Sequence, residues 1–216
     1  MHKTLSKLLK DNKGLLVFIA LMLIFRSAVA DWNDVPTGSM KPTILEGDRI
    51  LVNKLAYDVR LPFSQISLKR LADPARGDII VFESAKAGNQ LVKRVVGIPG
   101  DIVEMRNNRL LINGQALDYV ALHSTDQGED LIENLTGVQH SVRIKPGPQP
   151  LANFPPVTVP DEAYLALGDN RDNSADSRVI GFVPRHEIRG RAHHVLFSLN
   201  YGNYFLPRTN RFYHPI

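Results

Sequence analysis

Seventeen consecutive residues, GLLVFIALMLIFRSAVA from Gly14 to Ala30, carry one charge, Arg26. A helix this apolar has no polar face to turn to water and needs lipid or a core on every side. Lys3, Lys7, Lys10 and Lys13 precede it against Asp11 alone, the basic flank that membrane helices keep on the cytoplasmic side. At ~1.5 Å per residue the run reaches the short end of a bilayer span, and Arg26 sits near its end, where a long side chain reaches the headgroups. The pattern predicts a basic cytoplasmic segment (1–13), one membrane anchor (14–33), and a chain delivered to the far side from residue 34 onward. A rival reading takes Ala28-Val29-Ala30 as the small-x-small cleavage site of a removable export signal. Both readings send residues 31–216 across the membrane.

The remaining length suits one sizeable domain with a small annex. Of the 216 residues, 44% are hydrophobic and 22% charged, an ordinary globular balance. There is no cysteine, which removes disulfides, thiolate metal sites and cysteine nucleophiles together. A pI near 9.4 invites a nucleic-acid reading, but the net charge is only +4 and most of the excess is N-terminal, so no nucleic-acid partner is expected.

After Pro36 the chain breaks into short β-rich runs separated by Gly, Pro and Asn. Strands are expected at Arg49–Asn53, Asp78–Glu83, Leu91–Val96, Ile102–Arg106, Leu110–Ile112, Ala163–Leu167 and His194–Leu199. Asn107-Asn108 and Asn113-Gly114 have the composition of hairpin turns. Gly-Asp recurs at 47–48, 77–78, 100–101 and 168–169, three times ahead of an apolar run, and reads as a turn signal. Residues 107–160 are polar and Pro/Gly-rich, and are expected to form an inserted subdomain between catalytic-domain segments 34–106 and 161–216.

Three segments could make one site. In VPTGSMKPT (35–43), Ser39 sits on a loop stiffened by Pro36 and Pro42, with Gly38 allowing close approach and Thr37 offering a second hydroxyl. A nucleophilic serine needs such a fixed backbone, although Thr-Gly-Ser is equally an ordinary turn. None of the seven histidines stands in a pattern that pairs with Ser39, and no His-Glu-x-x-His motif suggests zinc. In LVKRVV (91–96) one of Lys93 and Arg94 must lie on the more buried face of the strand. A desolvated lysine can lose its proton where arginine cannot; the alternative is a two-faced strand with both charges reaching water. In GDNRDNSADSR (168–178), Asn170, Asp172, Ser174 and Asp176 have calcium-loop spacing, but Ala175 and Gly181 stand where the turn glycine and closing glutamate belong. A hydrogen-bonding buttress fits better, with Asp176 and Arg178 paired and Ser174 near an amine.

Taken in this order behind an apolar anchor, PTGSMKPT (36–43), KRVVGIPGD (93–101) and GDNRDNSADSR (168–178) resemble the type I signal peptidase family, membrane-bound serine proteases that remove signal peptides, with RGDIIVF (76–82) as weaker support. The resemblance implies a mainly β fold, a signal-peptidase-type sheet core carrying a small inserted subdomain behind one transmembrane helix. It implies Ser39 as nucleophile, Lys93 as general base, and the Thr37 hydroxyl with the Ser39 amide as oxyanion hole. Thr37 stands where relatives often have serine, and its extra methyl alters that geometry. Ser174 would orient Lys93, Asp176 and Arg178 would brace the loop, and Gly168 and Asn170 would shape it. Val35, Pro36, Met40, Ile44, Leu91 and Val92 map to pockets for the small residues of an Ala-x-Ala site. No cofactor or metal is implied; the partners are secreted preproteins and the lipid bilayer, and the place is the bacterial inner membrane with the catalytic part outside.

Other classes remain to be separated. Self-cleaving repressors share the serine–lysine logic but carry a DNA-binding helix-turn-helix absent from this sequence. A dedicated peptidase for a pilin-like or conjugation substrate, or a non-catalytic anchored β-domain that binds exported chains, would carry many of the same features. Self-processing after Ala30 is a further expectation.

Overall fold

The computed structural model describes residues 11–216; Lys3, Lys7 and Lys10 of the expected basic segment lie outside the described residues. Helix α1 (Lys13–Ala28) exposes its apolar side chains from Leu15 to Phe25 and buries none. Its 16 residues rise ~24 Å, and no helix among the described residues is long and apolar enough to cross a membrane. The helix also ends earlier than the expected 33. The Val29 amide closes the last turn on Phe25 O at 2.8 Å, and Ala30–Asp34 becomes strand β1. Lys54 Nζ donates to Arg26 O at 2.9 Å and Ser27 O at 3.3 Å, a cation placed at the negative end of the helix dipole.

The strands that follow are β2 (Asp48–Asn53), β3 (Asp58–Arg60), β4 (Ser67–Arg70), β5 (Ile79–Ser84), β6 (Asn89–Gly97), β7 (Ile102–Arg106), β8 (Arg109–Ile112) and β9 (Gln115–Ala116). After them come β10 (Asp118–Thr125), β11 (Gly128–Leu135), β12 (Val138–Ile144), β13 (Phe154–Thr158), β14 (Ala163–Leu167), β15 (Val183–Pro184), β16 (Ile188–Asn200), β17 (Leu206–Pro207) and β18 (His214–Pro215). Every expected strand is present, although β16 begins six residues before the expected His194.

The main sheet runs β1-β2-β16-β5-β6-β14-β15, with β17 and β18 also on β16. Apolar residues cover both faces of its centre. Ile79 and Val81 of β5 join Val35, Met40, Ile44, Ile50 and Val52 on one face, while Ile80 and Phe82 join Tyr57, Val95 and Tyr164 on the other. A strand covered on both faces reads as a continuous apolar run, as IIVF does here. Between β6 and the outer strands, Val96 and Leu165 join a third cluster with Val103, Met105 and Leu110.

The polar middle of the chain forms two more sheets, β13-β7-β8-β9 and the meander β10-β11-β12. The expected domain boundary at 106/107 falls on the β7–β8 hairpin, where Asn107 and Asn108 take φ of 50° and 60°, so it divides a single sheet. Three of the four Gly-Asp pairs make the same turn. Gly47, Gly77 and Gly100 have φ of 90°, 93° and 86°. In each, one carboxylate oxygen of the aspartate accepts the amide three residues back: Leu45 at 2.8 Å, Ala75 at 3.0 Å and Ile98 at 2.8 Å. The fourth pair, Gly168-Asp169, belongs to the site.

Candidate active site

Ser39 lies half-buried on the β1–β2 loop, over the core face that holds Val35, Met40 and Ile44. Lys93 comes from β6, and its Nζ is 3.0 Å from Ser39 Oγ and 2.9 Å from Val92 O. Only 2% of Lys93 is exposed. Burial brings its ammonium down to about 8, against the opposing charges of Asp176 and Asp169. The expectation that one cation of the Lys93-Arg94 pair is buried was too narrow, because Arg94 is 4% exposed. It forms a bidentate pair with Asp169, Nε to Oδ1 at 2.9 Å and Nη2 to Oδ2 at 2.8 Å.

The 168–178 loop holds Ser39 from behind. The Asn170 amide donates to Ser39 O at 3.0 Å and its Nδ2 to Gly38 O at 2.9 Å. A side chain on Gly168 would place Cβ 2.5 Å from Ser39 O and closer still to Ser174 Oγ, so close approach explains this glycine. Asp176 Oδ2 accepts the Gly168 amide at 3.0 Å, and Arg178 grips the same carboxylate through Nε at 2.8 Å and Nη2 at 2.7 Å. Burial alone would raise the Asp176 carboxyl; the Arg178 bonds outweigh it and hold the group below the usual range. Ser174 packs beside Gly168 and helps hold Asp176 low, but no hydrogen bond joins it to Lys93 among the described residues.

The other predicted residues divide by exposure. Thr37 and Pro36 are exposed, and neither the Thr37 hydroxyl nor the Ser39 amide has a protein partner among the described residues. Leu91 and Val92 are half-buried, while Val35, Met40 and Ile44 are core residues. Those last three can only floor a pocket, not wall it.

A second layer carries no sequence motif. Glu133 on β11 is 0% exposed and binds Arg171, itself 1% exposed, at 2.6 Å. Tyr119 OH also donates to Glu133, and His140 Nε2 lies 3.3 Å from its carboxylate and 3.8 Å from Asp169. Burial, helped by the charge of Arg94, takes His140 down to about 4, so it is neutral at pH 7. The Arg143 amide donates to Asp169 O at 2.8 Å and the Arg171 amide to Arg143 O at 2.9 Å. The end of β12 thus backs the loop that backs Ser39. One signal points here: Gly168-Asp169 alone among the Gly-Asp pairs is followed by Asn-Arg and no apolar run.

A serine hydroxyl against a buried, easily deprotonated amine is equipment for acyl transfer. Comparison with known proteins agrees in class. The family described as signal peptidase, peptidase S26, matches residues 9–197. Signal peptidase I of Pseudomonas fluorescens is 35% identical over 207 residues, covering 88% of this chain and 73% of that protein. Signal peptidase I P of Bacillus subtilis subsp. natto is 30% identical over 202 residues, covering 93% and 94%. A crystal structure of a signal peptidase I from Enterococcus faecalis V583, 30% identical, covers 56% of this chain and 97% of that one with a TM-score of 0.36. The chain belongs to the signal peptidase, peptidase S26, family. It is a serine endopeptidase, a hydrolase of peptide bonds.

Proposed function

We propose that this peptidase removes N-terminal signal peptides from exported preproteins, cutting after small residues with Ser39 as nucleophile and Lys93 as general base. The 3.0 Å approach of Lys93 Nζ to Ser39 Oγ in a site that buries the amine carries this reading. Ser39 Oγ attacks the scissile carbonyl as its proton passes to neutral Lys93. The Ser39 amide and the Thr37 hydroxyl take up the oxyanion. Collapse breaks the C–N bond, and the Lys93 ammonium gives its proton to the departing amine. Water, deprotonated by Lys93, then hydrolyses the acyl-enzyme and frees Ser39. Asp176 and Arg178 hold the loop, while Asn170 fixes the peptide of the nucleophile.

Small-residue preference follows from what surrounds the site. Pro36 and Val92 offer the reachable apolar surface, and Met40 and Ile44 fill the volume beneath. An extended substrate lying as an added strand would turn alternate side chains toward it. Helix α1 is the anchor in this reading: Lys13 and Arg26 at its ends extend into the headgroups, and the bilayer thins to meet a short span. Ser39 follows the helix by about a dozen residues, which keeps it near the membrane surface and raises the effective concentration of a lipid-held substrate.

The test is cleavage of a preprotein bearing an Ala-x-Ala site by the detergent-solubilised full chain, beside Ser39→Ala and Lys93→Ala. Cutting after the second alanine by the wild type, with both variants inactive, is expected. Retained cutting in either variant would overturn the dyad.

A further inference from the structure

Past Ser39 the surface changes character. Where Pro36 and Val92 present carbon, a groove of about 510 Å³ beside the loop is lined by Lys41, Asn170, Asn173, Gln127, Lys145 and Asp126. Asn170 ties it to the nucleophile, since the same residue bonds Ser39 O and Gly38 O. A peptide that crosses Ser39 with its small residues over the apolar side has this polar groove as its way out.

The charges in the groove are unequally committed. Lys41 Nζ is shared with Glu46 at 3.2 Å. The Lys145 side chain is exposed and has no carboxylate partner among the described residues, although its amide donates to Asp172 at 2.8 Å. Gln127 is turned to Arg143 at 2.8 Å. Lys145 is therefore the uncommitted cation of the groove, and Asp126 opposes a second carboxylate elsewhere in it.

We propose that this groove binds the first residues of the released chain, those that follow the scissile bond, and selects an acidic side chain at the position that reaches Lys145. This rests on the peptidase reading above and adds a specificity to it. Polar, extended chain is the class of ligand, held by the Asn173 and Gln127 side chains.

The experiment uses the full chain in detergent and preproteins identical up to the cut, with Ser, Glu or Lys placed in turn at the second to fifth residues after it. At one or two positions Glu is expected over Lys by about ten-fold in kcat/KM, mostly through KM. Roughly three-fold comes from the new ion pair with Lys145 and roughly three-fold from relief of the like-charge repulsion. Lys145→Glu is expected to reverse that order, while Lys69→Glu, the same charge change on the β3–β4 hairpin, leaves it. Equal rates throughout, or the same shift from Lys69→Glu, overturn this proposal alone. No cleavage of any member by the wild type overturns the peptidase reading and the groove with it.

Discussion

Four Gly-Asp pairs stand in this chain, and three do one job while the fourth does another. At 48, 78 and 101 each aspartate serves both its own turn and an arginine: Arg211 at 2.6 Å, Arg191 at 3.3 Å and Arg76 at 2.9 Å. Asp169 makes no such turn bond and gives both oxygens to Arg94. That frees the backbone of 169–171 to bond Ser39 on one side and Arg143 on the other. The same dipeptide closes a turn and holds an arginine in three places, and in the fourth it closes no turn and only clamps Arg94, where the nucleophile's loop needs a wall behind it.

Breaking the clamp is expected to cost most. Asp169→Asn leaves Arg94 buried with a neutral partner and should lower stability by about 3–5 kcal/mol in urea unfolding. Asp78→Asn retains an acceptor for the Ala75 amide and the Tyr57 hydroxyl and weakens a pair whose arginine is half-exposed, so about 1 kcal/mol is expected. Equal losses at the two sites would erase the distinction.

Lys93 is expected to move stability the other way. Its pKa is about 8 in the fold against 10.5 for a lysine in water, so the unfolded chain binds the proton more tightly. The penalty is full below pH 8 and is relieved as pH rises toward 10.5. Lys93→Met should therefore gain about 3 kcal/mol at pH 7, a gain that shrinks between pH 8 and 10.5, while losing activity. No gain would mean that burying the amine costs the fold nothing.

The glycines complete the comparison. Gly168→Ala pushes Cβ into Ser39 O and Ser174, and a displacement of that loop should lower kcat about 100-fold. Gly100→Ala meets no atom within 4 Å, and only its φ of 86° is strained. About 1 kcal/mol of stability should go, with kcat unchanged.

Much of the fold is legible in the sequence because the central strands are apolar runs bounded by Gly, Asn and Asp. The β10-β11-β12 meander is not. Its β10 is exposed along most of its length, and β11, GEDLIENL, buries Asp130 and Glu133 among its apolar residues, so hydrophobic alternation fails there. Ser39 and Lys93 are legible as types, a serine on a stiff loop and a lysine in an apolar strand, but 54 residues separate them and only the packed sheet sets their distance. Arg94 looks like the solvent-side partner of Lys93 because its carboxylate lies 75 residues away. Glu133 and His140 give no motif at all, since Glu133 pairs with Arg171 out of water and His140 is buried beside them.

The measurement that bears most directly on Ser39 and Lys93 is the pH dependence of kcat/KM for preprotein cleavage. A single rise with a midpoint near pH 8, as Lys93 loses its proton in the free enzyme, is the result expected. A profile flat from pH 6 to 10 (about the whole usable range), or one that rises only near 10.5 where an unburied lysine titrates, would contradict a buried amine acting as the base.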